Sequence, residues 1–278
     1  MALADRAARA VGGLGVYALA DDVAYDIPLP EGTKAGEADG VLRDLFSGAA
    51  VDVAVQRAES RRKKVLLADM DSTMIEQECI DELADVLGVG EAVAAITERA
   101  MRGELDFRQA QTERMALLAG KPADVVERVL AERIVPRSGG RELVRTMAAN
   151  GAHCALVSGG FTAFTEPLAR HFGFHENRAN VLDARDGLLT GRIVEPLLGR
   201  EAKALALAEI VAAKGLAPAD VLAVGDGAND LAMLSAAGTG VALHAKPVVA
   251  EQADIRIDHG DLTALLYLQG YRKADFET

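Results

Sequence analysis

The chain has 278 residues, of which 50% are hydrophobic and 26% are charged, a mixture typical of a globular protein with a sizeable core. Its formal net charge of −12 argues against a nucleic-acid or anionic-membrane partner, because either would need a basic face. The basic run at residues 61–64 is interpreted as a solvated linker. No apolar stretch is long enough to span a bilayer, and neither a signal-peptide pattern nor a disulfide framework is visible, so we expect a cytoplasmic protein.

Residues 1–60 predict a small N-terminal α+β segment. Short alternating runs at residues 24–27 and 51–55 predict two strands. Between them, residues 37–46 place their apolar side chains on one face of a helix. The expected order of this segment is therefore β-α-β.

Residues 61–75 and 136–278 predict a Rossmann-like α/β core. The apolar run at residues 65–68 is typical of a strand buried on both faces of a parallel sheet. Strand and helix patterns alternate again after Pro136, which predicts parallel strands joined by right-handed crossovers. Residues 180–194, with Asp186 and Gly187 in the middle, predict a β-hairpin at the rim of the sheet.

Residues 76–135 have a different periodicity from the core. Their apolar residues recur at helical spacing in several short stripes, separated by glycines. This pattern predicts a helical-bundle cap that is inserted into the core directly after its first strand.

Polar residues follow the predicted core strands at the points where each strand ends. These segments are residues 69–73, 158–160 and 225–230. In open α/β sheets, ligands bind beyond the carboxyl ends of the strands, so we expect these segments to form one site. Carboxylates crowded in this way repel one another, and a hard divalent cation with oxygen ligands, Mg²⁺, would relieve the repulsion.

The same edge of the sheet also offers donors for an anion. Backbone amides at the glycines after Ser158 can approach a phosphate closely, and Lys203 supplies a fixed positive charge. Each motif alone is more typical of an ordinary turn. Their order at three strand ends, with a lysine between the second and the third, favours a site for phosphoryl transfer in which a carboxylate attacks phosphorus.

The segments DMDST, LVSGG and GDGANDLAM, together with Lys203, resemble the four ordered motifs of the haloacid dehalogenase superfamily. The resemblance covers residues 64–270 or so and implies that Asp69 is the phosphoryl acceptor and Asp71 the general acid and base. It implies that Mg²⁺ is held by Asp69, the backbone carbonyl of Asp71 and Asp226, with Asp230 supporting the metal through water. The implied phosphate-binding groups are Ser158, Gly159, Lys203 and Asn229.

Within that superfamily the chain is most similar to the phosphoserine phosphatases. By this resemblance Glu78 binds the amino group of the substrate and Arg114 its carboxylate, while Glu76 lies two residues too early. Periodicity alone leaves the role of Arg114 open, because its guanidinium could face an anion or extend to the edge of the bundle. Taken alone, Glu78 would indicate only an acidic residue in the first turn of a helix, where a negative charge is favourable. Met101 and Phe107 match lid positions that would cover the substrate.

The resemblance implies hydrolysis of O-phospho-L-serine to L-serine and phosphate through an aspartyl-phosphate intermediate, the last step of serine biosynthesis. One alternative is a related phosphatase or phosphotransferase that acts on another small phosphorylated metabolite. Another is a receiver-like signalling domain that keeps its phosphoryl group, although a large helical cap favours turnover. Residues 1–60 resemble an amino-terminal extension of bacterial phosphoserine phosphatases that is sometimes ACT-like.

Overall fold

The computed structural model describes residues 1–199 and 201–278. The main sheet has the strand order β6-β5-β4-β3-β7-β8-β9. Its neighbouring strands are parallel except β5 and β6, which are antiparallel. The strands of the chain are β1 (Tyr17–Ala20), β2 (Ala24–Asp26), β3 (Val65–Ala68), β4 (His153–Phe161), β5 (Glu176–Arg185), β6 (Leu188–Val194), β7 (Val221–Gly225), β8 (Thr239–Leu243) and β9 (Ile255–Ile257).

Helices cover both faces of this sheet. The helices that the structure describes are α1 (Ala2–Val11), α2 (Ala35–Leu45), α3 (Cys79–Val86), α4 (Gly90–Met101), α5 (Phe107–Ala116), α6 (Val125–Glu132), α7 (Gly140–Ala149), α8 (Thr162–Phe172), α9 (Ala202–Lys214), α10 (Leu231–Ala236), α11 (Pro247–Ala250) and α12 (Ala264–Leu268). None of the helices in residues 1–199 and 201–278 is both long and apolar enough to cross a membrane. The observed architecture confirms the predicted α/β class with a mostly parallel central sheet.

The central strand β3 is buried on both faces because it separates two apolar clusters. Leu66 and Ala68 belong to the larger cluster, which includes side chains of α7, α8 and α12. Val65 and Leu67 belong to the cluster on the opposite face, beneath α9 and α10. This arrangement explains why the strand is a continuous apolar run rather than an alternating one.

The helices α3 to α6 lie between β3 and β4 in the chain, within the segment predicted to form the cap. The predicted hairpin, formed by β5 and β6, is confirmed, and its turn residues Asp186 and Gly187 both have positive φ, as a type I′ turn requires. The hairpin contacts this helical segment through two backbone hydrogen bonds. The amide of Gly120 donates to the carbonyl of Leu189, and the amide of Leu189 donates to the carbonyl of Lys121. A Cβ on Gly191 would lie 2.8 Å from Ala119 Cβ, so only glycine allows this approach.

The N-terminal segment differs from its predicted β-α-β order. The structure has α1, β1, β2 and α2 in sequence, and the strand predicted at residues 51–55 is wrong, since these residues form no strand. The side chains of Val51, Val53 and Val55 pack instead against a small cluster that contains Leu42 and Phe46. Their alternation therefore reflects one-sided packing on helices and not a sheet ladder.

The interpretation of residues 61–64 as a solvated linker is wrong for Arg61 and Lys63, whereas Arg62 and Lys64 are exposed. Lys63 is only 7% exposed, and its Nζ donates to the carbonyl of Ala219 at 2.8 Å. Arg61 pairs with Asp26 at 2.8 Å, and the guanidinium of Arg62 lies 4.0 Å from the ring centre of Tyr271. The basic run thus fastens the N-terminal segment to the core.

A single carboxylate makes a further connection between these two parts. The oxygens of Asp52 accept hydrogen bonds from the backbone amides of Asp258, His259 and Gly260 at 2.7–3.3 Å. Hydrogen bonds to a charged acceptor contribute more than neutral ones. Asp52 therefore attaches the loop after β9 to the N-terminal segment.

We predict that Asp52→Ala lowers the free energy of unfolding by about 1–3 kcal/mol, because three amides lose their charged acceptor. Asp52→Asn should cost less, since its amide oxygen still accepts. Urea unfolding followed by circular dichroism measures both, with Asp44→Ala on the exposed face of α2 as control. Equal stability of Asp52→Ala and the control would contradict this role.

Candidate active site

Three carboxylates meet at the carboxyl edge of the sheet. Asp69 directly follows β3 and Asp226 directly follows β7, its parallel neighbour. Asp69, Asp226 and Asp230 are only 5%, 9% and 0% exposed. One oxygen from each lies within 4.8 Å of the others, so the structure brings together the acidic residues that the sequence placed at different strand ends.

A buried lysine joins two of these carboxylates. Lys203, the second residue of α9, is 4% exposed. Its Nζ lies 2.6 Å from Asp69 Oδ1 and 2.5 Å from Asp230 Oδ1. Burial acts to lower the pKa of Lys203, but attraction to Asp69 and Asp230 outweighs burial and raises this pKa above its ordinary value. The lysine is therefore a fixed positive charge.

Asp230 also shapes the loop that carries Asp226. Its Oδ2 accepts hydrogen bonds from the backbone amides of Asp226 at 3.2 Å and of Gly227 at 3.0 Å. A Cβ on Gly225 would lie 2.4 Å from the Asp230 carboxyl carbon, so glycine is required there. Both oxygens of Asp230 thus have partners within the protein: Lys203 for Oδ1 and the backbone amides for Oδ2. This is consistent with a residue that supports Asp226 from behind.

The cluster carries more negative charge than its lysine can balance. Burial, followed by repulsion from Asp230, raises the pKa of Asp69 well above its ordinary value. Burial likewise raises the pKa of Asp226 to about 6, although Thr73 opposes the change. Hard divalent cations bind to groups of carboxylate oxygens of this kind, so these residues fit a metal ion.

Asp71 lies beside this cluster with both carboxylate oxygens directed at neighbours. Oδ1 accepts a hydrogen bond from the amide of Cys79 at 2.9 Å, and Oδ2 accepts one from Ser158 Oγ at 3.3 Å. Burial, followed by repulsion from Glu78, raises the pKa of Asp71 to about 6. A carboxyl group in this range can both donate and accept a proton near neutral pH.

Sequence analysis gave no role to Thr73 and Arg137, which hold the loop between Asp71 and the helical segment. Thr73 is fully buried, and its hydroxyl donates to Asp226 Oδ1 at 3.0 Å. The guanidinium of Arg137 donates to the carbonyls of Ser72 at 2.9 Å and Thr73 at 3.0 Å. Ser72 has a positive φ of 54°, so this backbone conformation needs such support.

The predicted phosphate-binding residues line one narrow cavity of about 20 Å³, roughly the size of one water molecule. The cavity is lined by Phe107, Ser158, Gly159, Gly199, Ala202, Lys203 and Asn229. Ser158 is 3% exposed and accepts a hydrogen bond from the amide of Gly160 at 2.9 Å. Met101, which was also predicted as a lid residue, is 77% exposed at the end of α4.

Glu78 and Arg114 lie on the helical segment. Glu78 is exposed and accepts a hydrogen bond from Ser72 Oγ at 2.9 Å. The Nε of Arg114 is buried and has no hydrogen-bond partner among the residues that the structure describes. Burial lowers the pKa of Arg114, while attraction to Asp81 and Glu78 opposes this. A buried donor without a partner is energetically unfavourable unless an acceptor binds to it.

The sheet, its helical insertion and the carboxylate cluster define a hydrolase of the α/β class with an aspartate-based site. The chain belongs to the haloacid dehalogenase-like hydrolase family, whose model matches residues 66–235. This match covers all three polar segments at the strand ends and confirms the resemblance found in the sequence.

Individual relatives carry a more specific name. The phosphoserine phosphatase SerB2 of Mycobacterium tuberculosis is 44% identical over 229 residues, which cover 82% of this chain and 56% of that protein. A phosphoserine phosphatase of Polaromonas is 42% identical over 230 residues, covering 81% of this chain and 98% of that protein. A crystal structure of a probable phosphoserine phosphatase from Vibrio cholerae superposes with a TM-score of 0.79 at 31% identity, covering 99% of this chain and 84% of that one.

The raised pKa of Asp226 predicts how pH acts on the metal-free protein. The folded chain holds this proton up to about pH 6, whereas the unfolded chain releases it near the ordinary pKa of 3.8. Stability therefore falls as pH rises from about 4 to 6, by about 2–3 kcal/mol for this group. Asp226→Asn should remove that part of the loss and be more stable than the wild type at pH 7.5 in EDTA.

Urea unfolding in EDTA at pH 5 and pH 7.5 measures this difference, and Asp44→Asn controls for the removal of one exposed negative charge. Added Mg²⁺ should stabilise the wild type more than Asp226→Asn. The same fall in stability between the two pH values in wild type and Asp226→Asn would show that Asp226 does not carry the effect.

Proposed function

We propose that this chain hydrolyses O-phospho-L-serine to L-serine and phosphate, the last step of serine biosynthesis, with Mg²⁺ as cofactor. The observation that carries the proposal is the buried lysine shared by Asp69 and Asp230 beside Asp226. The unpartnered Arg114 nitrogen on the helical segment and the names of the relatives support the substrate.

Asp69 acts as the nucleophile. Its Oδ1 is held by Lys203 and accepts a hydrogen bond from the amide of Met70 at 2.8 Å, so we assign the attack on phosphorus to Oδ2. The new bond between Oδ2 and phosphorus forms while the bond from phosphorus to the serine oxygen breaks. This step produces an aspartyl phosphate and a serine alkoxide that needs a proton.

Asp71 supplies that proton. Its pKa of about 6 keeps a fraction of the carboxyl protonated near neutral pH, and Ser158 and Cys79 fix its direction. In the second half of the reaction the Asp71 carboxylate takes a proton from water, which attacks phosphorus. The bond to Asp69 then breaks, and the products are phosphate and the free Asp69 carboxylate.

The residues that would hold Mg²⁺ are Asp69, Asp226 and the backbone carbonyl of Asp71, with Asp230 in support. When bound, Mg²⁺ supplies positive charge that offsets both the carboxylates and the charge that develops on the phosphoryl oxygens. Thr73 orients the Asp226 carboxylate for this purpose. The donors to phosphate are Ser158, the Gly159 amide, Lys203 and Asn229, which line the narrow cavity.

The substrate is selected by two charges of opposite sign on the helical segment. Glu78 binds the ammonium group of phosphoserine, and Arg114 binds its carboxylate. A carboxylate would supply Arg114 Nε with the acceptor that it lacks among the described residues. In this scheme residues 76–135 form the cap, residues 61–75 and 136–278 form the catalytic core, and residues 1–60 form a separate N-terminal unit.

We predict that Asp69→Asn reduces the release of phosphate from phosphoserine by about 1,000-fold or more, because the attacking carboxylate is lost. Phosphate release with Mg²⁺ measures the effect. Asp220→Asn, at the opposite end of β7 where Asp220 pairs with Lys64, should retain activity. An active Asp69→Asn protein would refute the mechanism. A wild type that takes up phosphate without steady release would instead support the receiver alternative.

We predict that Arg114→Met lowers kcat/KM for phosphoserine by about 10- to 100-fold. This loss corresponds to the free energy of one charge-assisted hydrogen bond. Hydrolysis of p-nitrophenyl phosphate, which has no carboxylate, should fall by less than about threefold on the same reasoning. Arg108→Met is the matched control, since Arg108 lies on the same helix but is exposed and pairs with Glu195. Equal losses on both substrates would count against a carboxylate site at Arg114.

A further inference from the structure

Asn180, on β5, is buried directly behind the narrow cavity but does not line it. It is 1% exposed. Its Nδ2 donates to the carbonyl of Gly159 at 2.9 Å and to that of Leu198 at 3.3 Å. Its Oδ1 accepts from the amide of Leu198 at 2.7 Å. One side chain thus binds two backbone segments that are distant in sequence.

Both of these segments contribute to the cavity wall. Gly159 belongs to β4, whereas Leu198 precedes Gly199, and both glycines line the cavity. The chain continues from Gly199 into α9, where Lys203 is the second residue. Because Asn180 ties Gly159 to Leu198, it fixes the separation of the groups that face the cavity from the two segments.

The sheet itself does not hold the Gly159 carbonyl in this way. The parallel pairing of β4 with β5 has an irregularity between Val157 and Phe161, which are paired with Arg178 and Asn180. Between these two pairs the chain of β4 moves on by four residues, whereas that of β5 moves on by two. The regular pairing of the strands is therefore interrupted around Gly159. A buried backbone carbonyl needs a donor, and the amide of Asn180 supplies one.

The orientation of this carbonyl is transmitted to a phosphate-binding side chain. The Gly159 carbonyl and the Gly160 N–H belong to the same planar peptide group. The Gly160 N–H donates to Ser158 Oγ at 2.9 Å. Asn180 therefore orients a peptide whose other end orients the Ser158 hydroxyl. The amide of Gln111, on α5, is a second and longer donor to the same carbonyl at 3.4 Å.

We infer that Asn180 is a positioning residue, which fixes the position of two segments in the wall of the phosphate cavity relative to each other. The inference rests on the proposed function, in that the cavity is taken to bind phosphate. Asn180 contacts neither the substrate nor the reacting atoms. Its loss should weaken binding of any phosphate ester, whatever the rest of the substrate, and should leave the metal site unchanged.

The test is Asn180→Leu, because Leu has nearly the same shape, brings no charge to the cavity and has neither a donor nor an acceptor. All the hydrogen bonds of the Asn180 side chain to Gly159 and Leu198 are therefore lost. Inhibition by inorganic phosphate is measured against hydrolysis of p-nitrophenyl phosphate. We expect the phosphate inhibition constant to rise about tenfold and the Mg²⁺ concentration for half-activation to change by less than about twofold.

Asn177→Ala is the matched control. Asn177 lies on the same strand and accepts a hydrogen bond from Thr165 Oγ1 at 2.7 Å, away from the cavity. Its removal should lower the melting temperature while leaving the phosphate inhibition constant unchanged. If Asn180→Leu does not fold, Asn180→Ser is judged by the same criteria, since a serine side chain is too short to bind both segments.

The inference is overturned if the Asn180 variant binds phosphate as the wild type does, or if Asn177→Ala weakens phosphate binding equally. It is also overturned if p-nitrophenyl phosphate hydrolysis by the wild type is insensitive to phosphate. Failure of the wild type to hydrolyse phosphoserine, with p-nitrophenyl phosphate still cleaved, would refute the proposed substrate. The Asn180 comparison would then still be decisive, because it does not use phosphoserine.

Discussion

The contact of Lys203 with both Asp69 and Asp230 is the interaction on which the rest of the site depends. Three buried carboxylates within 4.8 Å would repel one another strongly in a medium from which water is excluded. The lysine balances part of this charge and is itself buried only because it has two partners. Asp226 is not one of the two ion-pair partners of Lys203, and the hydroxyl that donates to it, that of Thr73, is neutral. The charge that is left over is the physical reason why this edge of the sheet favours a cation.

The sheet makes such a concentration of charge tolerable by confining it to one place. Along β3 every residue is buried between apolar clusters, so polar groups can occur only where the strand ends. Two glycines then allow the loops to close around the carboxylates. A Cβ on Gly225 would overlap Asp230, and one on Gly160 would lie 3.1 Å from Asp71 Oδ2. The same glycines that look like ordinary turn residues in the sequence therefore set the spacing of the site.

The parts of this arrangement that the sequence revealed are those with a local signal. Acidic residues directly after an apolar run can be located without knowing what they contact. Thr73 and Asn180 gave no such signal, because their importance comes from partners that are 153 and 21 residues away. The helix α1 was also missed, although its residues are amphipathic at helical spacing, with Ala4 and Ala7 as its buried positions. The solvated-linker interpretation failed because charge alone does not show whether a basic side chain has partners.

Hydrogen bonds at the base of the helical segment connect the two halves of the proposed chemistry. The amide of Cys79, in the first turn of α3, donates to Asp71 Oδ1, and Ser72 Oγ donates to Glu78. The returning chain is tied to the same loop, since Arg137 donates to the carbonyls of Ser72 and Thr73. A displacement of this segment relative to the sheet would therefore disturb the carboxyl proposed to transfer the proton together with the residue proposed to bind the substrate's ammonium group. In the proposed mechanism, recognition of the substrate and protonation of its leaving oxygen consequently depend on one short loop that begins at Asp69.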